Sequence, residues 1–382
     1  MSEDRSRRCV AVVGGGAGGL CAAVAAARTG ARVVILERAN RVGKKLLKTG
    51  NGRCNLSNAN LAPERYNRPE FVAPVLRDVD APGLLAFFGG LGLWTVTDGE
   101  GRVYPLSDTA ASVLDVLRLE CARLGVEERC SAEITAVRPR EDGTFLLCDR
   151  EGGALAADRV IVSAGGGTAL LRPLGNPYVP FSPVLCPLKT DAEPIRGLSG
   201  LRVRCRATLL RAGGMVCRET GEILFRDFGV SGILALDLSR FALPGDILSL
   251  DLLPETKEPE LIVRLEEQRV LRAGDRELFT GVFHRRLGEA ILRRTGSAEP
   301  RALARTVKDY RLTVTGPGDV SNAQVTRGGA DVCYFDPVTL ESTLYPGLYA
   351  VGEALDVDGA CGGYNLHWAF ASGLAAGRSA GA

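Results

Sequence analysis

Residues 9–37 read CVAVVGGGAGGLCAAVAAARTGARVVILE, and this stretch decides how the rest of the chain is read. Cys9 to Val13 is a short apolar, β-branched run of the kind buried on both faces of a parallel sheet. Gly14, Gly16 and Gly19 then satisfy G-x-G-x-x-G, with Ala17 and Gly18 inside the motif. The first glycine permits a tight turn, the second lets a pyrophosphate approach the backbone, and the third allows close packing of helix on strand. Phosphates at such a turn meet the free N–H groups and dipole of a helix N-terminus. The alanine-rich helix ends near Gly30, and a second apolar run ends in Glu37, at the spacing where a carboxylate accepts hydrogen bonds from a ribose. Strand, turn, helix, strand and terminal acid together predict a dinucleotide-binding β-α-β unit. Arg38, next in line, leaves the choice between a plain and a 2′-phosphorylated ribose open.

Cys9 to Ala27 carry no charge and follow Arg5, Arg7 and Arg8, a pattern that hydropathy alone reads as a signal peptide or membrane span. Five glycines clustered between an apolar run and an alanine-rich helix argue for strand, turn and helix instead. At 382 residues and 46% hydrophobic content, the chain is long enough for one large core and a smaller satellite unit. Its 47 basic and 45 acidic side chains nearly cancel, leaving +2. That balance predicts neither a nucleic-acid partner nor a lipid surface, and the partner expected is a small-molecule substrate. Eleven cysteines without a C-x-x-C pair, and two histidines, predict reduced thiols in a cytoplasmic protein and no metal site.

Two further stretches bear on the cofactor. Arg41 to Asn58 read RVGKKLLKTGNGRCNLSN, where a simple nicotinamide dehydrogenase would continue its sheet. Lys44 and Lys45 suit phosphate oxygens, and Thr49, Asn51, Arg53 and Asn55 supply hydrogen bonds beside Gly50 and Gly52, where backbone passes close to a ligand. Near the other end, the apolar run Leu348 to Val351 leads into Gly352 and Glu353, then Asp358, Gly362, Gly363, Asn365 and Leu366. A helix beginning near Gly363 would aim its positive end at a reduced flavin ring, and Glu353 or Asp358 would hold ribityl hydroxyls.

The segments VVGGGAGGLCAAVAAARTGARVVILER, GKKLLKTGNGRCNLSN, GEILFRDFGVSG, NAQVTRGGADVCYFDPVTLES and LYAVGEALDVDGACGGYNLHWAFASG resemble the BaiN/YhiN-like family of bacterial NAD(P)/FAD-dependent oxidoreductases, nearly end to end. The resemblance implies an α/β fold: a Rossmann-like FAD-binding domain of the two-dinucleotide-binding-domain flavoprotein type, interrupted by an insert with a β-barrel part and a small helical part. On that pattern residues 1–188 and 320–382 form the FAD domain and 189–319 the insert, with a barrel part at about 189–254 and 306–319 and a helical part at about 255–305. Gly232 to Leu238 reads as a strand of the barrel. Carried over by position, Gly14, Gly16, Gly19 and Glu37 serve the ADP half of FAD. Gly43, Lys44, Thr49, Asn51, Gly52, Arg53, Cys54 and Asn55 reach toward the pyrophosphate and flavin. Gly352, Glu353, Asp358, Gly363, Asn365 and Leu366 match the ribityl and ring side. One departure stands out: after Ser163-Ala164-Gly165-Gly166-Gly167-Thr168 the family's long crossover is trimmed. Ala164, Gly165 and Gly166 still suit backbone contact with FAD.

No second nucleotide-binding unit follows Val160-Ile161-Val162, because neither an alanine-rich helix nor an acidic strand end comes after the glycines. NAD(P)H is therefore expected as a transient donor at the flavin, with a protein carrier as the other source of electrons. His367, Tyr364 and Tyr104 are the acid/base candidates, and a hydrogen-bonded structural role is the competing reading for His367. Cys54 has no adjacent histidine and reads as an inert thiol. The resemblance implies reduction of an activated carbon–carbon double bond in a carbonyl compound, such as a steroid-like enone. An FAD-dependent amine oxidase of the aminoacetone type is the alternative, and a redox sensor with little turnover is the alternative of another class.

Overall fold

The computed structural model describes residues 7–166, 169–318, 323 and 325–382. The chain divides at Ser182/Pro183 and Gln324/Val325 into a unit built from both ends and a unit built from the middle. The expected boundary at 319/320 lies outside the described residues, as does the start of the shortened crossover at Gly167 and Thr168.

The two-ended unit is organised around a five-stranded parallel sheet. From edge to edge its strands are Leu348–Ala350, Arg159–Val162, Cys9–Val13, Arg32–Glu37 and Glu127–Cys130. Val10, Ala11, Val12, Val34, Ile35, Val160 and Ile161 are fully buried, as an all-parallel sheet covered on both faces requires. Strand Arg159–Val162 sits between the first and last strands, so the C-terminal segment is joined to the glycine turn through it. A small antiparallel sheet of Ser57–Asn58, Arg102–Pro105 and Thr95–Thr97 carries the polar loop up to the beginning of the C-terminal helix, Tyr364–Gly381.

That helix lies parallel to Ala17–Arg28, backbone against backbone. A Cβ on Gly373 would stand 2.2 Å from Gly18 O, and one on Gly377 2.3 Å from Ala22 O. Small residues every fourth position on both helices let them approach this closely, and the contact fixes the glycine turn against the last strand.

The middle unit contains a closed six-stranded barrel: Leu188–Thr190, Gly229–Ser231, Gly214–Arg226, Arg202–Arg211, Ile247–Asp251 and Tyr310–Pro317, which pairs back to Leu188–Thr190. Cys205, Ala207 and Leu209 alternate inward with Leu248, Leu250, Leu312 and Val314 to fill it. Helices Glu258–Leu271, Arg285–Thr295 and Pro300–Lys308 form its helical part. One expectation is corrected. Gly232 to Leu238 is not a strand: Gly232 adopts φ +90° and starts a helix, Ile233–Leu238, that buries Leu234, Ala235 and Leu238. An i, i+1, i+4 apolar set fits a helical face better than a pleat.

Among the described residues, no helix is long and apolar enough to cross a membrane, and no cluster of His, Cys, Asp or Glu is arranged to hold a metal ion. All eleven cysteines are free thiols.

Candidate cofactor and active site

The glycine turn is built as its sequence predicts. Gly14 has φ +103°, and a Cβ there would meet Ser163 O at 2.4 Å; a Cβ on Gly19 would lie 1.9 Å from Gly14 O. Gly16 is different: nothing lies within 4 Å of its Cβ position. It is the N-cap of helix Ala17–Arg28, with no side chain capping the first turn. The first N–H groups of that helix thus lack the side-chain acceptor a soluble helix usually recruits, and they start at the one glycine of this turn with room in front of it. Glu37 closes the strand that follows. Its carboxylate accepts hydrogen bonds from the N–H of Gly15 and of Ala39, both at 2.8 Å, which pins the turn and leaves lone pairs for a ribose. Arg38 is exposed beside it.

The trough continues through Ser163, Ala164, Gly165 and Gly166, all half-buried, to Glu353. Glu353 Oε2 accepts from Gly166 N at 3.2 Å and pairs with Lys45 Nζ at 2.5 Å. Lys45 was expected on phosphate oxygens; the structure commits it to Glu353, while Lys44 is exposed. Thr326, absent from the sequence-based set, borders this point, its Cβ lying 2.6 Å from where a Gly166 Cβ would be.

The loop after Gly43 is tightly wound. Gly43 packs where a Cβ would strike Leu114, while Gly50 and Asn51 both adopt left-handed conformation, φ +56°, and Thr49 accepts from Cys54 N. Gly52 has open space around it. Cys54 is buried, and burial pushes its thiol up to about 12, so it stays protonated and inert. Asn55 is more telling. Its Oδ1 is buried without a partner among the described residues, 2.8 Å from the position of a Gly363 Cβ. Gly363 itself has φ +106° and caps the C-terminal helix with no side-chain hydrogen bond, and Gly362, φ +113°, precedes it. Two uncapped helix N-termini, a backbone floor of glycines between them and an orphaned buried oxygen fit an elongated dinucleotide, with phosphates at Gly16 and a ring at Gly363.

Several sequence-based candidates are placed away from that trough. His367 is fully buried, with Nδ1 hydrogen-bonded to Ser57 Oγ and Nε2 to Val79 O, each at 2.9 Å. Burial lowers its pKa to about 4, so it is a neutral structural group and not an acid facing a ligand. Tyr364 is buried edge-on against Tyr66 and its hydroxyl reaches Asn60 O at 3.3 Å. Asn365 clamps the preceding turn through Gly359 N, Gly359 O and Ala360 O, and Leu366 packs against the core. Asp358 was expected on ribityl hydroxyls, but its fully buried carboxylate is bidentate with Arg327, at 2.8 and 3.1 Å. Asp356 likewise holds Arg68 and Gly328 N. These partners, like Ser57, went unnoticed in the sequence because nothing in the spacing of single polar residues marks who will face whom. Gly352 does face the interior, its N–H donating to Ser372 Oγ. Tyr104 lies under the Arg53 guanidinium, which is 4.2 Å from its ring centroid.

Fold and trough define a flavin-dependent oxidoreductase of the Rossmann type, with its cofactor domain assembled from both ends of the chain. The sequence matches the HI0933-like protein Rossmann domain over residues 8–176 and 185–379, and the chain belongs to that family. It is 35% identical over 405 residues to a 3-dehydro-bile acid delta(4,6)-reductase of Clostridium scindens, covering 97% of this chain and 98% of that protein. It is 28% identical over 392 residues to the ribosomal RNA dihydrouridine synthase of Escherichia coli, covering 95% and 96%. Among solved structures it is similar to a 3-ketosteroid-delta4-(5alpha)-dehydrogenase from Rhodococcus jostii, with TM-score 0.50, 15% identity, and 98% and 97% of the two chains covered; that likeness is one of fold.

Proposed function

We propose that this protein reduces a carbon–carbon double bond conjugated to a carbonyl group, with FAD in the trough and NAD(P)H as its transient donor. The observation that carries this reading is the 35% identity sustained over 97% of the chain with a reductase of a delta(4,6) 3-dehydro bile acid. FAD, when bound, supplies two-electron chemistry. The chain's own residues do the rest: Gly16 and the first turn of its helix seat the phosphates, Glu37 holds the ribose, and Glu353 fixes the Gly165–Gly166 backbone. The N-terminus at Gly363 sets a positive partial charge beside the ring.

The pairing of charges around Tyr104 suits an uncharged substrate. Arg53 is matched by Asp108 at 2.5 Å, and Arg102 by Asp98 at 2.7 Å and Glu100 at 2.9 Å, so the two guanidiniums offer hydrogen bonds without surplus positive charge. A steroid-like enone fits those terms. A second reading is favoured by the relative named as a ribosomal RNA dihydrouridine synthase: the uracil 5,6 double bond is also conjugated to a carbonyl, so the same chemistry would serve a base in RNA.

Anaerobic stopped-flow tests both. NADPH or NADH should bleach the flavin, and a steroidal 4-en-3-one should restore its colour. Recovery with a ribosomal RNA transcript and not with the enone would move the assignment to the second reading. Failure of both nucleotides to bleach the flavin would shift it to an amine oxidase, a reductase fed by a protein carrier, or a sensor.

A further inference from the structure

Tyr104 sits on strand Arg102–Pro105, between Ser57–Asn58 and Thr95–Thr97. Side chains alternate along a strand, so Ser57 and Val103 share the inward face, where Ser57 meets His367. Asn58, Arg102 and Tyr104 share the other. Against that face lies the turn that begins the C-terminal helix: Asn58 Nδ2 donates to Gly362 O at 2.9 Å, and Arg102 Cγ is 4.0 Å from the position of a Gly362 Cβ. Arg53 covers the ring from the polar loop, and Asp108 fixes Arg53. Asn51, Cys54 and Asp108 all take positive φ, between +55° and +57°, a concentration of backbone strain typical of a ligand clamp. The Tyr104 ring is covered by the Arg53 guanidinium and is only 9% exposed. Yet its hydroxyl has no hydrogen-bond partner among the described residues and is not sealed from solvent.

We propose that Tyr104 is the proton donor of the double-bond reduction proposed above, with Arg53 as the residue that positions it. The inference rests on that reading. The β-carbon of the conjugated system accepts a hydride from the reduced flavin, and the π electrons move toward the carbonyl. The α-carbon forms its new C–H bond with the Tyr104 proton as the O–H bond breaks. The phenolate, flanked by Arg53 and Arg102, recovers a proton from water. The substrate gains two electrons and two hydrogens, and the flavin is left oxidised. Burial raises the phenol above its ordinary value of 10.0, against the opposing pull of Arg102 and Arg53, so the group carries the required proton at neutral pH.

The test is Tyr104→Phe, read in two ways. In anaerobic half-reactions the variant should retain FAD, and enone-driven reoxidation should slow on the order of 100-fold, as loss of a general acid predicts. Its rate should also lose the fall at high pH expected of the wild type. Reoxidation at the wild-type rate would overturn the proposal. Independently of any substrate, alkaline titration of the oxidised holoprotein should develop a long-wavelength phenolate-to-flavin band in the wild type and not in the variant. Identical titrations would overturn the placement of Tyr104 beside the flavin. A wild type that no enone reoxidises strikes the function proposed above, while the titration still decides whether Tyr104 faces the ring.

Discussion

Gly16 and Gly19 are three residues apart in one motif and answer to different constraints. Gly19 is required by the protein itself, because any side chain would enter the Gly14 carbonyl. Gly16 has free space and an ordinary φ of −83°, so only a ligand forbids a side chain there. Gly16→Val should therefore leave the apoprotein melting temperature within a few degrees of wild type and abolish the flavin absorbance, whereas Gly19→Val should lose both; an apoprotein equally destabilised by both changes would remove the phosphate site from Gly16. His367 gives a second prediction. The unfolded chain protonates this ring near its ordinary value of 6.5, while the fold resists until about pH 4. Its contribution is full above pH 6.5 and declines as pH falls through that window, by up to about 3 kcal/mol. Urea midpoints at pH 7.5 and 4.5 should differ more in wild type than in His367→Asn; equal differences would count against it. The glycines were legible because their geometry is imposed locally, by φ and by the neighbouring turn. For His367 the sequence offers a hydrogen-bonded structural role beside an acid/base one, and the structure has the first; neither its partners nor that of Asp358 were legible, because Ser57, Val79 and Arg327 lie far away in sequence and polarity alone does not say whether a group faces a ligand or another side chain.

At the scale of elements, the pairing of Ala17–Arg28 with Tyr364–Gly381 holds the trough together. Gly373, Gly377 and Gly381 meet Gly18, Ala22 and Ala26 with backbone carbonyls within reach of any added Cβ. Gly377→Leu must push the helices apart, and with them the Gly14 turn and the strand Leu348–Ala350. The expected loss exceeds about 3 kcal/mol, at the upper end of overpacking, and should appear as a lower melting temperature with weaker FAD binding; a variant that keeps both would show that the helices have slack. The helices themselves were readable from alanine-rich composition, and the first β-α-β unit from its periodicity. The run Ile233–Leu238 reads as a strand because six residues, five of them apolar and one the charged Asp237, are too few to carry a decisive period, and the φ of +90° at Gly232 opens a helix there instead.

At the scale of the molecule, each unit has its own continuous apolar core, one centred on the parallel sheet and one filling the barrel. Residues 183–324 should accordingly melt cooperatively when produced alone, without colour; a non-cooperative transition would show that the barrel depends on the other unit. That both ends of the chain serve the cofactor was readable from the glycine-rich stretch after Leu348, but the bounds of the insert came only through resemblance, since no local pattern announces that strand Leu348–Ala350 will lie beside Arg159–Val162. The discontinuity of the cofactor unit also bears on how the protein is made. Synthesis runs from one end, so every strand of the barrel has left the ribosome while the glycine turn still lacks the helix that braces it. The middle of the protein can settle during translation, but its first residues must wait for its last, and cofactor capture becomes a late event that a prematurely terminated chain never reaches.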